Sequence, residues 1–313
     1  MTPAIKIEDI AHVRFSAPDL AGMRAFLEDF GLSCSEQGGR LYGRGGDGRP
    51  FLHSTEPGDP AFRALGLRAA SLADLETLAD SVGVSVEDLT DPGGGKVVRL
   101  TDPDGFLVEV VAGQAVEKPS ADIEDAPHNN AAARPRQRAT VRLSQGPSHV
   151  QRLGHCVLNV SDFRVSEKWY KERFGFLTSD EIEMAPGTAM GAFMRCDRGD
   201  IPTDHHTLFL AQLPQPPGYM HAAFEVAHLD DLMLGHAHLK ARGRDQAWGV
   251  GRHIMGSQVF DYWRDPWGHE LEHWTDGDLF TAADPPNKMP FQSLLAVQWG
   301  TPHPMLAGGN GSD

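Results

Sequence analysis

Residues 8–32 read EDIAHVRFSAPDLAGMRAFLEDFGL, and residues 151–176 read QRLGHCVLNVSDFRVSEKWYKERFGF. The two stretches are copies of one pattern, and a repeat of this kind organises a whole chain. Each opens with a short strand pattern carrying one histidine, His12 or His155. Each then places Asp19 or Asp162 where a helix should start, so that the carboxylate can accept from free backbone N–H groups. Apolar residues follow at helical spacing: Leu20, Met23, Phe26, Leu27 and Phe30 in the first copy, Phe163, Trp169, Tyr170 and Phe174 in the second. Gly31 and Gly175 end the two helices in positions suited to a left-handed cap.

The ends of the copies match as well. Residues 102–109, DPDGFLVE, parallel residues 265–272, DPWGHELE; in both, Asp-Pro-X-Gly makes a tight turn into an alternating strand. Between start and end, Ser71–Leu75 parallels His228–Leu232 at the entry to another helix. Each half therefore reads as two successive strand–helix–strands units, an α+β fold of two tandem modules. The expected division is a first module over 1–113, an irregular Pro-, Ala-, Asn- and Arg-rich connection over 114–150, a second module over 151–280 and a Pro-rich tail over 281–313. The terminal GGNGSD should fray, whereas Phe291–Trp299 is apolar enough to pack on the body.

Composition narrows the function. At 313 residues the chain has room for two domains, and its 40% hydrophobic content and mean hydropathy of -0.35 are those of an ordinary globular protein. The net charge of -15 argues against nucleic acid and against anionic membrane surfaces as partners. Three widely separated cysteines, Cys34, Cys156 and Cys196, suggest a reducing compartment and no disulfide framework. Residues 1–10 lack the apolar run of a signal peptide, and no segment is long and apolar enough to span a bilayer, so a cytoplasmic enzyme is expected.

Histidine is concentrated in the second half, and the repeat frame singles out some of these residues. His155 lies on a strand, sharing a face with Leu153 and Val157. His221 lies on a second strand, and Glu270 and Glu272 on a third. Ligands on separate strands of one curved sheet can converge inside it. Two neutral imidazoles and one carboxylate on one side of an ion leave several coordination positions open, which suits Fe(II) that binds both a substrate and dioxygen; manganese or zinc could use the same atoms. Strand parity puts Glu270 and Glu272 on the same face, so spacing does not choose between them.

The paired modules resemble the vicinal-oxygen-chelate (glyoxalase-like) superfamily, and in particular its two-domain type I extradiol ring-cleavage dioxygenases, the dihydroxybiphenyl and catechol 2,3-dioxygenase relatives. The resemblance is strongest over residues 152–274: Gly154-His155, His205-His206-Thr207, the strand around His221, and GRHIMGSQVFDYWRDPWGHELEHW from Gly251 to Trp274. It implies paired βαβββ units with the active site in the C-terminal module, His155 and His221 as histidine ligands, and Glu272 as the carboxylate ligand. It further implies His206 as the acid–base group, and His253 and Tyr262 as hydrogen-bond partners of substrate oxygens. The implied reaction is Fe(II)-dependent meta cleavage of a substituted catechol with incorporation of both atoms of O2. Such chemistry needs a group that accepts a hydroxyl proton and later returns one.

Val157, Phe193, Met194, Trp248 and Met255 would surround the ring if their segments line the cavity as in relatives. The expected substrate is an uncharged aromatic diol, since only Arg252 and Arg264 stand near the site motifs in sequence. His205 is assigned to the face opposite His206, His228, His236 and His238 to solvated surface, and His269 and His273 to positions outside the cavity. In the first half His12 and Glu109 persist, but Ala64 stands where the second histidine is due, so that module is expected to be structural. A homo-oligomer is expected. A glyoxalase-like isomerase would usually need a fourth protein ligand and no oxygen, and an aromatic-compound binding protein would need no acid–base group; His206, His253 and Tyr262 argue against both.

Overall fold

The computed structural model describes residues 2–120 and 127–303. The expectation that the terminal GGNGSD frays lies outside the described residues. The first half forms β1 (Ile7–Ala17), α1 (Leu20–Phe30), β2 (Ser33–Gln37), β3 (Arg40–Arg44), β4 (His53–Pro57), β5 (Ala61–Ala69), α2 (Leu72–Val82), β6 (Glu87–Asp88), β7 (Lys96–Thr101) and β8 (Leu107–Ala112). The second half repeats the order with β9 (Val150–Asn159), α3 (Phe163–Phe174), β10 (Leu177–Ala185), β11 (Thr188–Arg195), β12 (Thr203–Asp204), β13 (Leu208–Ala211), β14 (Gly218–Val226), α4 (Leu229–Ala241), β15 (Asp245–His253), β16 (Val259–Arg264) and β17 (Glu270–Thr275). After it come β18 (Leu279–Phe280), β19 (Asn287–Pro290), α5 (Phe291–Leu295) and β20 (Val297–Gly300).

Local chemistry starts and stops the helices as expected. Asp19 accepts from the Ala21 N–H and Asp162 from the Val165 N–H, while Gly31 and Gly175 close α1 and α3 at φ of 106° and 70°. At α4 the cap is His228, whose Nδ1 accepts from the Asp231 N–H at 3.2 Å. His228 is therefore not the solvated surface residue the sequence suggested.

Each half is built on one curved mixed sheet of two βαβββ units, and β12 pairs apart from it with β18. In the first, the order is β2-β3-β4-β1-β5-β8-β7-β6; in the second, β19-β10-β11-β13-β9-β14-β17-β16-β15-β20. The central pairs β1–β5 and β9–β14 are antiparallel, and each is flanked by parallel neighbours, β4 and β8 or β13 and β17. The tail is part of the second sheet: β19 runs beside β10, and β20 pairs with β15. Periodicity in the tail did not announce these strands, because edge strands this short carry too few residues to show alternation.

The halves pack through apolar and charged contacts. Phe15 meets Tyr219 edge-on at 5.1 Å between ring centroids, and Phe30 stacks on His273 at 3.8 Å. Asp29 at the end of α1 accepts from His238, Arg242 and Arg244 of the second half. His236 faces Asp261 at 3.1 Å. His236 and His238 were expected on solvated surface; they bind carboxylates in partly buried positions because α4 lies between its own sheet and α1. No helix among the described residues is long and apolar enough to cross a membrane.

Candidate metal centre

Strand register brings the site together. His155 of β9 stands opposite Ala223 of β14, Ala223 opposite Glu272 of β17, Glu272 opposite Tyr262 of β16, and Tyr262 opposite Trp248 of β15. These residues form one row running across the strands. His221 lies in the adjacent row, opposite Val157 and Glu270. Ala223 is small, so the side chains on either side of it can meet over β14. Next to His155, Gly154 leaves room for the Trp274 ring, since a Cβ there would lie 2.6 Å from it.

The ligand atoms of His155, His221 and Glu272 all lie within 4.8 Å of one another. Glu272 Oε2 is 3.2 Å from His155 Nε2 and 3.3 Å from His221 Nε2. Glu272 is fully buried, and its Oε1 has no hydrogen-bond partner. Burial opposes its ionisation, but the contacts from His155, His221 and His253 outweigh it and hold the carboxyl well below the usual carboxylate range. Burial also holds His155 below the ordinary imidazole value, so it is a neutral donor with a free lone pair. A buried anion with one oxygen facing two imidazoles and the other unused fits a divalent cation of the Fe(II), Mn(II) or Zn(II) type. Glu270, the rival by parity, is instead engaged by Arg264 at 2.9 Å at the start of β17.

The expected hydrogen-bonding residues surround this group. His206 is buried, its ring 4.0 Å from that of His155, and burial followed by the neighbouring His155 holds it well below the ordinary imidazole value. His253 Nε2 and the Tyr262 hydroxyl are 3.0 Å apart, and His253 Nε2 is 3.6 Å from Glu272 Oε1. Burial and then the Glu272 charge raise the Tyr262 hydroxyl well above its usual value, so it remains a donor.

His205 departs from the sequence reading. Residues 205–207 lie between β12 and β13, where strand alternation does not apply, and His205 Nδ1 lies 3.1 Å from His206 Nδ1. His269 and His273 are away from the centre, as expected: His269 pairs with Asp265 at 2.8 Å, and His273 Nε2 meets the Phe30 carbonyl at 2.7 Å.

Val157, Phe193 and Met255 belong to an apolar cluster with Ile182, Met190 and Phe209, against which Met289, Phe291 and Leu294 of the tail pack. The tail therefore packs on this cluster, and residues 291–299 lie against the body. Trp248 lies at the other flank, stacked on Tyr262 at 5.3 Å. Met194 is a correction. It belongs to the main core rather than the cavity, because it follows Phe193 on β11 and adjacent strand residues point to opposite faces. Arg252 is engaged by Asp276 at 2.7 Å and Arg264 by Glu270, so neither presents a free cation to the cavity.

The first half shows the same rows altered. His12, Gly66, Glu109 and Arg99 take the places of His155, Ala223, Glu272 and Tyr262; Ala64 takes that of His221, and Arg14 that of Val157. Arg14 Nε donates to Glu109 Oε2 at 2.6 Å, and the same oxygen is 2.8 Å from His12 Nε2. The guanidinium supplies the positive charge that an ion would bring, and a cavity of about 260 Å³ opens beside it.

Residues 152–273 match the model of the Glyoxalase/Bleomycin resistance protein/Dioxygenase superfamily. Metapyrocatechase 2 of Cupriavidus necator is 30% identical over 306 residues, covering 95% of this chain and 90% of the relative. An iron-dependent extradiol dioxygenase of Rhodococcus jostii is 26% identical over 136 residues, 41% of this chain and 44% of that protein. Among solved structures, the Mn(II)-bound glyoxalase from Novosphingobium aromaticivorans superposes with a TM-score of 0.77 at 23% identity, covering 96% of this chain and 93% of that one; at that identity the likeness speaks for the fold.

Proposed function

Because the chain belongs to the glyoxalase/bleomycin resistance protein/dioxygenase superfamily, and within it to the extradiol ring-cleaving dioxygenases, we propose that it opens a substituted catechol beside one hydroxyl with both atoms of O2. The observation that carries this reading is the convergence of two imidazoles and one buried carboxylate beside His206, His253 and Tyr262. In it, His155, His221 and Glu272 hold iron. When bound, iron would lower the pKa of a catechol hydroxyl and give catechol and oxygen a common meeting point.

The side chains supply the rest. His206, kept neutral by burial, accepts a hydroxyl proton and later returns one. Tyr262 and His253, hydrogen-bonded to each other, orient the substrate oxygen on the opposite flank. The apolar cluster of Val157, Phe193, Phe209 and Met255, with Phe291 and Leu294 of the tail packed against it, favours an uncharged ring substituent. The neutralised Arg252 and Arg264 agree with that preference. Three unpaired cysteines support a reducing cytoplasm as the setting. A homo-oligomer is part of the proposal; Trp299, 45% exposed on the edge strand β20, is an apolar anchor available for it.

The decisive experiment reconstitutes the protein anaerobically with Fe(II), adds a panel of catechols, admits air, and follows oxygen consumption and the yellow ring-opened product. Uptake with alkyl- or aryl-substituted catechols is expected. No uptake across the panel defeats the dioxygenase reading, and a clear preference for carboxylated rings defeats the uncharged-substrate reading.

A further inference from the structure

We infer that Asp180 and His205 form a two-residue relay behind His206 that fixes which nitrogen of His206 faces the reaction as a base and receives the proton passed back from it. The inference rests on the dioxygenase reading for its consequence, not for its geometry. Asp180, at the buried end of β10, places Oδ2 2.7 Å from His205 Nε2. His205 Nδ1 in turn lies 3.1 Å from His206 Nδ1. The three residues are 6%, 1% and 3% exposed, so water does not compete for these contacts.

The His205 backbone is pinned on both sides. Its N–H donates to the Asp278 carbonyl at 3.0 Å, and its carbonyl accepts from Ser179 Oγ at 2.6 Å. Gly256 passes so close that a Cβ there would lie 3.0 Å from His205 Nδ1. The ring is therefore held, and its hydrogen bonds follow from the acceptor at the end of the chain.

A carboxylate only accepts, so His205 carries its hydrogen on Nε2. With that single hydrogen on the ring, the Nδ1 of His205 is a lone pair, and His206 donates to it from its own Nδ1. That leaves His206 Nε2 bare, the form that can take a proton from a catechol hydroxyl. When an N–H bond forms at His206 Nε2, the Nδ1–H bond of the same ring can break and a new one form at His205 Nδ1. One proton enters, one moves on, and the resulting imidazolium lies against the Asp180 carboxylate. The reverse steps return the proton. No electron changes owner. Asp180 and His205 are positioning residues: they act through His206 and are not placed at the substrate.

The test needs a readout independent of turnover. Long-range ¹H–¹⁵N correlation of histidine-labelled protein, metal-free or loaded with Zn(II), should show His206 with hydrogen on Nδ1 and a bare Nε2. In His205→Leu that tautomer preference should be lost. With Fe(II), His205→Leu should keep its iron and its KM for the best catechol while kcat falls about 10- to 100-fold. His205→Asn, whose Oδ1 can still accept from His206 Nδ1, should restore the tautomer and much of kcat. Hydrogen on Nε2 of His206 in the wild-type protein overturns the relay, and so does an unchanged tautomer and kcat in His205→Leu. If the wild type cleaves no catechol, the dioxygenase reading fails alone, because the tautomer measurement on wild-type protein still decides the relay.

Discussion

Glu272 shows how much one position along a strand decides. It and Glu270 are two residues apart and share a face, yet Glu272 is fully buried between two imidazoles while Glu270 is a third exposed and paired with Arg264. A substitution at each should separate the roles cleanly. Glu272→Gln and His221→Ala should lose iron on gel filtration, whereas Glu270→Gln should retain it with near wild-type turnover. His206→Ala should keep iron but lose roughly 10²- to 10⁴-fold in kcat, the range typical of an acid–base group. Iron content and oxygen uptake on the same samples check all four; full iron in the His221 variant would overturn the ligand assignment. The orientation of His205 belongs to this scale too. Alternation was the wrong rule for it, because the pair sits in a connection rather than in a strand.

At the scale of elements, the first module replaces an ion with a side chain. Ala64 on β5 removes one imidazole, and Arg14 on β1 extends a guanidinium to Glu109 and Asp91. Burial opposes ionisation of Glu109, but His12 and Arg14 outweigh it and hold its carboxyl well below the usual range. Arg14→Val should therefore remove the shared cation from two buried carboxylates, leaving Glu109 to His12 and Arg99 and Asp91 to Tyr42, and destabilise the protein by about 3 kcal/mol, read in urea melts. Adding Ala64→His to that variant should complete a second three-ligand set. A second equivalent of Zn(II) or Mn(II) in a metal titration, with partial recovery of stability on binding, is the expected result. Absence of the extra equivalent would show that the first module has drifted beyond the ligand geometry its strand register preserves.

At the scale of the molecule, His53 reports on the junction of the halves. It is fully buried, stacked at 4.9 Å on Phe15, which itself touches Tyr219 and His269 of the second half. Neither ring nitrogen has a hydrogen-bond partner, and burial lowers its pKa from 6.5 to about 3. Between those values the unfolded chain binds a proton that the folded protein does not, so stability is full above pH 6.5 and falls as pH drops toward 3. The loss from this group reaches ~3 kcal/mol near pH 4, at about 1.4 kcal/mol per unit. His53→Leu should match the wild type at pH 8 and become the more stable protein as pH falls below 6.5, measured by denaturant midpoints across that range. Parallel curves for the two proteins would show that His53 is not held neutral.

The repeat, its two strand–helix–strands modules, the caps at Asp19 and Asp162, and an alanine at position 64 where the second copy has His221 are legible along the chain, because capping and periodicity are local and a repeat exposes each substitution by comparison; the βαβββ form of each unit was implied by the family resemblance. From residue spacing alone Glu270 and Glu272 stayed equivalent, and the tail was expected to pack on the body with no indication of where. Tertiary structure decided what depends on contacts between distant segments: that Glu272 and not Glu270 meets the imidazoles, that Arg14 reaches into the place an ion would take, that the tail packs on the cluster of Val157, Phe193 and Met255, and that Asp180 stands behind His205 and His206. These follow from strand register and from side chains meeting across a curved sheet, distances that no spacing along the chain encodes.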